Sequence, residues 1–396
     1  VINKNTGEHI PFFTVSLKGT TLGTATDETG HYFLKNLPVG SYTIRVNGVG
    51  YRSAEKQIVL RQGETRELNF EVEEDIIQLE TVVISANKNE TNRMEAPVVV
   101  HVMTPKLFEN TNSVCLAQGL SFQPGLRVET NCQNCGFQQV RINGLDGPYT
   151  QLLLDGKALF SSLNGVYGIE QIPAGMIERV EVMRGGGSAL YGANAIGGTV
   201  NIITKEPLNN LFMISHNLIA IGNSAYDNTT SLNASLINGQ RNAGLYIFGT
   251  SRHRQHYDHD GDHFSEIGEL KLTTLGFRSY YKPSSQTKLT LEYHNIQEFR
   301  RGGNLFSLPP HETDITEQAD HDINGGGVDF SFFSKDYTHK FSLYSSVQHT
   351  DRQSYYGAGK DPNAYGKTKD LTAIAGIQYS YNFNHLLFMP AILTAG

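Results

Sequence analysis

The stretch that most constrains this chain runs from Ile177 to Lys205, where two short alternating runs flank a glycine-rich segment. Val180–Val182 and Thr199–Ile203 carry β-branched side chains at every second position, which predicts two strands. The glycines between them allow positive φ angles and close backbone approach, so a tight fold can separate the strands. They are Gly185, Gly186, Gly187, Gly192, Gly197 and Gly198. Neither a P-loop lysine nor the spacing G-x-G-x-x-G is present, so no phosphate cradle is predicted.

This stretch resembles the end of the plug domain of TonB-dependent outer-membrane receptors. The letters I-E-R-V-E-V, R-G-G-G-S-A-L-Y-G and G-G-T-V-N-I-I-T-K follow the family order, with Gly186 in the place of the usual proline. Upstream, P-G-L, R-I-N-G and L-L-D-G keep that order. The resemblance implies an α+β plug domain at 95–207. Four charged side chains alternate in sign near its last strands: Glu178, Arg179, Glu181 and Arg184. In a plug enclosed by a barrel they could pair with the barrel wall, and the alternative is ordinary surface charge.

Residues 1–74 are predicted to form a separate small β-sandwich. Alternating runs such as Tyr42–Val46 recur about every ten residues, with turn signals between them. The order G-x-x-I-P-F, V-x-L-K-G-T and L-P-x-G-x-Y resembles the carboxypeptidase regulatory-like domain. No His/Glu set has the spacing of a zinc site, and Asp27 and Glu28 are predicted to form a turn. The resemblance implies a periplasmic interaction or gating module.

Residues 75–94 are predicted to be a linker that contains one β-branched run. Its members are Glu80, Thr81, Val82, Val83, Ile84, Ser85 and Ala86. Such a run between polar stretches, with nothing local to pair with, is typical of a segment that adds a strand to another protein. It resembles the TonB box, which implies TonB as the energy-coupling partner. The alternative is an edge strand of the preceding sandwich. We call residues 80–86 the coupling segment.

Residues 208–396 contain a series of alternating runs whose connections differ in length. The connections at 238–243 and 283–286 are short, and those at 252–268, 300–324 and 350–370 are long. Short turns on one side and long loops on the other are typical of an outer-membrane barrel. A barrel of about eight strands is filled by its own side chains, whereas one of about 22 strands encloses a plug. We therefore expect the first strands of a 22-stranded transmembrane β-barrel, in a mainly β chain that continues beyond Gly396.

Composition and motifs exclude two function classes. A net charge of −7 and a pI near 6.1 argue against nucleic acid as a partner. No apolar run reaches the roughly 18 residues of a membrane-spanning helix. No Ser/His/Asp set, carboxylate pair or cofactor motif is present, so neither an enzyme nor a cofactor is predicted.

Several residues are expected at the outer face, where a small-molecule ligand would bind. They are Cys132, Cys135, Tyr149, Phe160, Tyr167, Arg300, Arg301 and His311. The two cysteines form a single C-x-x-C with no second cluster, which disfavours zinc. In an oxidising envelope they are expected to form a local disulfide, with copper capture by the thiols as the alternative.

The loop R-H-R-Q-H-Y-D-H-D-G-D-H-F-S-E at 252–266 is a candidate metal site. Asp258, Asp260, Asp262 and Glu266 alternate around a glycine, as oxygen ligands do in calcium loops, although not at EF-hand spacing. A structural calcium ion is therefore one hypothesis. The alternatives are a transition metal or haem bound by the histidines of the loop, and a solvated polar loop without a ligand.

The resemblance implies active import across the outer membrane, with iron-siderophores, haem or cobalamin as the ligand. It places the barrel in outer-membrane lipid as a multi-pass protein, and the N-terminal module and coupling segment in the periplasm. An accessory surface lipoprotein is a further expected partner. The alternatives are a surface receptor or adhesin that does not transport, and a SusC-like importer of glycan or peptide.

Overall fold

The computed structural model describes residues 1–396 except 5, 19, 21, 49–50, 74–81, 86–90, 93–95, 97, 133–135, 159–167, 186–187, 223, 337 and 387–388. Strands dominate this part of the chain, and they fall into an N-terminal module, a central module and one large sheet. None of the described helices is long and apolar enough to cross a membrane.

The N-terminal module contains two small sheets around one core. Its strands are β1 (Ile2–Asn3), β2 (Thr14–Leu17), β3 (Gly23–Ala25), β4 (Gly40–Asn47), β5 (Ala54–Leu60) and β6 (Glu71–Val72). The antiparallel sheet has the order β3-β2-β4-β5, and β1 pairs with β6 in parallel. Alternate residues of the strands point inward, so Val15, Val46 and Val72 meet the buried rings of Phe13 and Phe70.

The central module is an α+β unit, as the sequence predicts. Its elements are β7 (Val82–Val83), β8 (Thr91–Asn92), β9 (Val100–Met103), α1 (Pro105–Asn110), α2 (Leu116–Leu120), β10 (Leu126–Cys132), β11 (Phe137–Ile142), β12 (Thr150–Leu154), β13 (Lys157–Ala158), α3 (Gly168–Gln171), β14 (Ile177–Arg184), α4 (Ser188–Tyr191) and β15 (Gly198–Thr204). Single 3-10 turns lie at Gly147–Tyr149, Ala174–Met176 and Ala193–Ala195. The main sheet has the order β13-β12-β15-β14-β9, in which β12 and β15 are parallel.

The two strands predicted around the glycine-rich segment are β14 and β15, and they pair with each other. Val182 lies opposite Val200, and every residue of β15 is buried. Gly198 has a φ of 143°, and a Cβ there would lie 2.2 Å from the carbonyl oxygen of Met183. Only glycine fits that position, so its absent side chain lets β15 begin directly against β14.

The large sheet has nine antiparallel strands in chain order. They are β16 (Leu211–Ile221), β17 (Ala225–Ile237), β18 (Ala243–Arg254), β19 (Glu269–Ser284), β20 (Thr287–Gly303), β21 (Ile315–Phe333), β22 (His339–Ala358), β23 (Tyr365–Leu386) and β24 (Met389–Ala395). The connections at 255–268, 304–314 and 359–364 define the long-loop end of this sheet, although the 222–224 connection there is short. Those at 238–242, 285–286 and 334–338 define the short-turn end.

Two of the predicted long loops are shorter than the alternation indicates. Most of 300–324 and 350–370 is strand, because β20 continues to Gly303 and β22 continues to Ala358. The backbone ladder does not require apolar side chains, so polar residues extend the hairpins past the apolar part of the sheet. Arg300 and Arg301 therefore lie in a strand and not in a loop.

The two faces of the nine-stranded sheet differ sharply. On β19, Leu270 and Leu272 are buried against the interior, whereas Leu275 is 60% exposed on the outer face. The outer face also exposes Phe212, Ile214, Leu218, Leu236, Leu343, Val347, Leu371 and Ile377. Tyr246 and Phe248 on the inner face belong to the core of the central module. An apolar outer face opposite an inner face that packs on an enclosed domain is typical of a membrane barrel wall.

Candidate coupling site and ligand-facing residues

The described part of the coupling segment lies on the central module. Val82–Val83 pairs with Thr91–Asn92, and the buried side chain of Val83 packs against Val100. The expectation that the segment has nothing local to pair with is therefore wrong, since β8 supplies a short partner. The described strand pairs with β8 and not with the N-terminal sandwich. Glu80, Thr81 and Ala86 lie outside the described residues.

Glu181, on β14, holds the end of the coupling segment. Its Oε2 accepts hydrogen bonds from the backbone N–H of Ile84 at 2.9 Å, from the N–H of Ser85 at 2.8 Å and from the Ser85 hydroxyl at 2.7 Å. Its Oε1 accepts a bond from Arg179 Nε at 2.8 Å. The Glu181 side chain is fully buried, and a buried carboxylate needs donors on both oxygens. The coupling segment supplies three of those donors.

Asn201 and Tyr191 complete the contact with Ser85. Asn201 Nδ2 donates to the Ser85 hydroxyl at 3.0 Å, and its Oδ1 accepts the N–H of Gly156 at 2.9 Å. The Tyr191 hydroxyl donates to the Ser85 carbonyl at 3.1 Å. We call Ser85 with Glu181, Asn201 and Tyr191 the docking contact. Glu181 thus binds the coupling segment, and the expectation that it pairs with a barrel wall is wrong.

A second buried carboxylate, Glu170 on α3, joins the central module to the nine-stranded sheet. Its Oε1 accepts Arg254 Nη1 at 2.8 Å and Arg252 Nη1 at 3.2 Å, and its Oε2 accepts Arg300 Nη2 at 3.4 Å. Burial disfavours the charged carboxylate, but the three guanidinium groups outweigh burial and lower the pKa of Glu170 to about 2. All three arginines come from the sheet, so this acid is an anchor between the two units.

The same arginines have further partners. Arg252 Nη2 donates to Asp227 at 2.7 Å, and Arg300 Nε donates to Glu298 at 2.8 Å. Arg300 Nη1 also donates to the Gly136 carbonyl at 3.0 Å. Arg300, predicted to contact ligand, is therefore a buried member of this network. Cys115 Sγ lies 3.8 Å from Arg252 Nη1, and burial raises the pKa of this thiol.

A further charged network connects the central module to the sheet nearer the short-turn end. Lys157 Nζ lies 2.6 Å from Asp329 Oδ2 and 3.1 Å from Glu292 Oε1. Arg278 contacts Asp155 and lies 3.1 Å from Glu292. Burial lowers the pKa of Lys157, but the two sheet carboxylates outweigh burial and raise it. Buried ion pairs therefore join the central module to the nine-stranded sheet at two positions, one around Glu170 and one nearer the short-turn end.

At the long-loop end, aromatic and cationic side chains connect two loops. The His256 ring stacks on Phe306 at 3.7 Å between centroids, and the Arg301 guanidinium lies 5.4 Å from the same ring. Arg301 Nη2 also donates to the Leu308 carbonyl at 2.8 Å. Burial lowers the pKa of His256, Glu269 opposes this effect and Arg301 adds to it. The predicted residue Arg301 thus fixes loop structure beside the exposed loop surface.

The other predicted ligand-contact residues lie apart from one another. His311 is half-exposed, and its Nδ1 lies 2.8 Å from the Tyr365 hydroxyl. Tyr149 is 46% exposed on the central module, and Leu145 and Ile196 are exposed there as well. Cys132 is the last residue of β10, but its side chain lies outside the described part of the structure. Cys135, Phe160 and Tyr167 lie outside the described residues altogether. The disulfide therefore stays a prediction.

The acidic loop brings its four predicted residues together. Asp258, Asp260, Asp262 and Glu266 each offer a carboxylate oxygen, and these oxygens lie within 4.8 Å of one another. The loop also orders itself, because Asp258 accepts the N–H groups of Gly261 at 2.7 Å and His263 at 2.9 Å. The arrangement is compatible with calcium, which stays a prediction.

Sequence reasoning missed Glu170 and Asn201. Each is a polar residue inside an apolar run, Glu170 in G-I-E-Q-I-P and Asn201 in T-V-N-I-I-T. A buried polar group needs a partner from elsewhere in the fold. That signal marks the residue but does not say what it binds.

Two family models match parts of this chain. The CarboxypepD_reg-like domain matches residues 1–84, and the TonB-dependent Receptor Plug Domain matches residues 92–199. The central module corresponds to the matched plug domain. The docking contact is accordingly a contact between the plug and the segment that precedes it.

Relatives and solved structures support the same assignment. The vitamin B12 transporter BtuB of Vibrio vulnificus is 35% identical over 127 residues, which are 32% of this chain and 21% of the relative. The siderophore receptor PirA from Acinetobacter baumannii has a TM-score of 0.59 at 20% identity, over 74% of this chain and 46% of that chain. A variant of the ferric enterobactin receptor PfeA from Pseudomonas aeruginosa has a TM-score of 0.58 at 18% sequence identity. That match covers 74% of this chain and 48% of the PfeA chain.

This chain spans about a fifth of the length of the curated relatives and about half of these solved chains. The nine-stranded sheet resembles part of a TonB-receptor barrel, which confirms the predicted mainly β fold class. The relatives are transporters and receptors, which confirms that the chain is not an enzyme.

Proposed function

We propose that this chain is the plug-bearing part of a receptor that imports a scarce small molecule across the bacterial outer membrane, driven by TonB. One observation carries the proposal. A strand-forming segment directly ahead of the plug lies on the plug sheet, where Val83 packs against Val100 and Ser85 bonds to Glu181. Its strand pairing, with β8, is only two residues long. Such a segment can exchange its short strand pairing for pairing with a partner.

The two ends of the barrel sheet support an orientation for this transport. The N-terminal module lies at the short-turn end, where Asn209 Nδ2 is 3.5 Å from the Thr26 carbonyl. Outer-membrane barrels keep short turns on the periplasmic side and long loops outside. The coupling segment then faces the periplasm, and ligand arrives at the long-loop end, near Tyr149, Arg301 and His311.

The ligand classes that we propose are cobalamin and iron-siderophores, with haem as a third. The names of the relatives, a vitamin B12 transporter and siderophore receptors, favour the first two. We also propose that the acidic loop binds calcium, which would hold its four carboxylates together. Calcium chelation should then lower the melting temperature of the receptor but not that of an Asp258→Asn/Asp262→Asn variant. An unchanged melting temperature in the parent would remove the calcium proposal.

Replacing residues 80–86 by a Gly/Ser segment of equal length tests import. Linker length is kept while the strand-forming side chains are lost, so uptake should vanish and surface binding should survive. Cells that lack the native receptor should be supplied separately with cobalamin, ferric siderophores and haem. Unchanged uptake in the replaced variant would exclude coupling through this segment. Binding without uptake in the parent would favour a surface receptor, and uptake of glycan or peptide alone would favour the SusC-like alternative.

A further inference from the structure

We propose that His9 and His31 of the N-terminal module form a binding site for a divalent transition-metal ion of the class of Zn²⁺, Cu²⁺ and Ni²⁺. The two imidazole rings are neighbours, with 5.0 Å between their centroids and 61° between their planes. Both residues are exposed, so an ion reaches them from solvent. The site is separate from the coupling segment and from the acidic loop, and it does not depend on the proposed function.

The backbone brings the two histidines together, although they lie far apart in the sequence. A tight turn follows β3, in which the N–H of Asp27 donates to the His31 carbonyl at 2.7 Å and the N–H of His31 donates to Asp27 Oδ1 at 2.9 Å. Gly30 in this turn has a φ of 76°, and a Cβ there would lie 2.8 Å from the Cβ of His9. The glycine therefore lets the turn pack directly against His9.

Hydrogen bonds to Thr29 determine which nitrogen of each ring carries the proton. His9 Nδ1 lies 2.8 Å from the Thr29 carbonyl oxygen, and because a carbonyl oxygen only accepts, Nδ1 is the donor. The Thr29 hydroxyl donates to Asp27 Oδ1 at 2.7 Å, so its oxygen is left to accept from His31 Nδ1, also at 2.7 Å. That hydroxyl bond, with the backbone N–H bond from His31, lowers the pKa of Asp27 and keeps its carboxylate an acceptor. In each neutral ring the lone pair is therefore on Nε2.

Two imidazoles in this state match the way in which proteins bind transition metals. A histidine ligand almost always donates its other N–H to a carbonyl, a carboxylate or water, which fixes the tautomer and the ring orientation. His9 donates directly to a carbonyl, and His31 donates to a hydroxyl that is itself bonded to a carboxylate. No described residue forms a hydrogen bond with either Nε2. Imidazole ligands suit zinc, copper and nickel, whereas calcium and magnesium prefer oxygen ligands.

The separation of the rings fits one shared ion. A zinc ion lies about 2.0–2.1 Å from an imidazole nitrogen and hence about 3 Å from the centroid of the ring, so two rings on a tetrahedral ion have centroids about 5 Å apart. The observed separation is 5.0 Å. Among the described residues no third histidine, cysteine or carboxylate completes a ligand set with this pair, so solvent supplies the other ligands. We therefore expect reversible binding, weaker than at a structural zinc site with four protein ligands.

Counting bound zinc on the intact receptor tests the site. After equilibrium dialysis against Zn²⁺, His9→Ala and His31→Ala should each retain one ion fewer per receptor than the parent. His339→Ala is the matched control and should bind like the parent, because His339 is also exposed but pairs with Tyr379. Both substituted rings are exposed, so the melting temperature without metal should not change. Equal zinc content in the parent and in both variants would overturn the proposal.

Thr29 provides a second test that leaves both imidazoles in place. Thr29→Val removes the hydroxyl that orients His31, and loss of such an outer partner lowers metal affinity by about 10–100-fold. Thr29→Ser keeps a hydroxyl and should keep the parental zinc affinity. This pair of variants also decides the matter if an alanine variant melts at a lower temperature. Parental zinc affinity in Thr29→Val would contradict ligation through an oriented His31 and overturn the site as described.

Discussion

Two buried glutamates of the plug, Glu170 and Glu181, accept hydrogen bonds from different kinds of donor. Glu170 is held by three guanidinium groups, all from the barrel sheet. Glu181 is held by one guanidinium group of its own strand and by neutral donors from the coupling segment. Removing the barrel sheet would leave the buried Glu170 carboxylate without the three guanidinium groups that pair with it. Removing the segment from Glu181 leaves an ion pair that water can reach.

The difference indicates which contact is permanent and which can open. A buried charge that loses its charged partner is strongly destabilised, whereas neutral donors that return to water lose little. We therefore interpret Glu170 as the anchor between plug and wall, and Glu181 as the releasable holder of the coupling segment. If substitutions at Glu170 and Glu181 changed stability by the same amount, this distinction between the two contacts would be wrong.

The largest effect is expected from Glu170→Ala. The substitution leaves Arg252, Arg254 and Arg300 around an uncharged site and should destabilise the folded receptor by about 3–5 kcal/mol. Glu181→Ala should cost less, because Ile84 and Ser85 can turn to water. Calorimetric unfolding of the two variants beside the parent measures both. Equal losses of stability would contradict the distinction.

Acidification gives the next largest effect. The pKa of Glu170 in the folded protein is about 2, below the ordinary carboxyl value of 4.5. Because this pKa is lower in the folded than in the unfolded protein, the ionised Glu170 carboxylate stabilises the folded state. This contribution is complete above pH 4.5 and is lost as the pH falls from about 4.5 towards 2. Unfolding free energies across this range should therefore fall more steeply in the parent than in Glu170→Gln. Parallel curves would show that Glu170 is not held by the arginines.

The smallest effect is expected from Ser85→Ala. The variant loses the hydroxyl bonds to Glu181 and Asn201 but keeps the backbone N–H bond, so the docked form should weaken by about 1 kcal/mol. Global unfolding should not change, while exchange of the Ile84 amide should rise. Ser85→Thr keeps a hydroxyl and serves as the control. A fall in global stability in Ser85→Ala would mean that this contact is structural.

Local sequence predicts most of the fold. Alternation in β14 and β15 and the glycines between them indicate the strand pair, and alternation across 208–396 indicates the sheet. Hairpin length is not predicted, because the ladder of β20 and β21 continues through polar residues such as Arg300. The docking contact is not predicted either, since it joins Ser85 to a glutamate 96 residues away. Motif order identifies the units, but only the fold shows which buried acid meets which donor.

The most direct test is a reversible cross-link across the docking contact in whole cells. Ser85→Cys with Asn201→Cys replaces two side chains whose polar atoms lie 3.0 Å apart, and mass spectrometry would confirm the disulfide against each single variant. With the bond formed, uptake should stop while surface binding of the ligand continues, and a reductant should restore uptake. Uptake that continues at the parental rate with the bond intact would contradict release of the coupling segment as a step of transport.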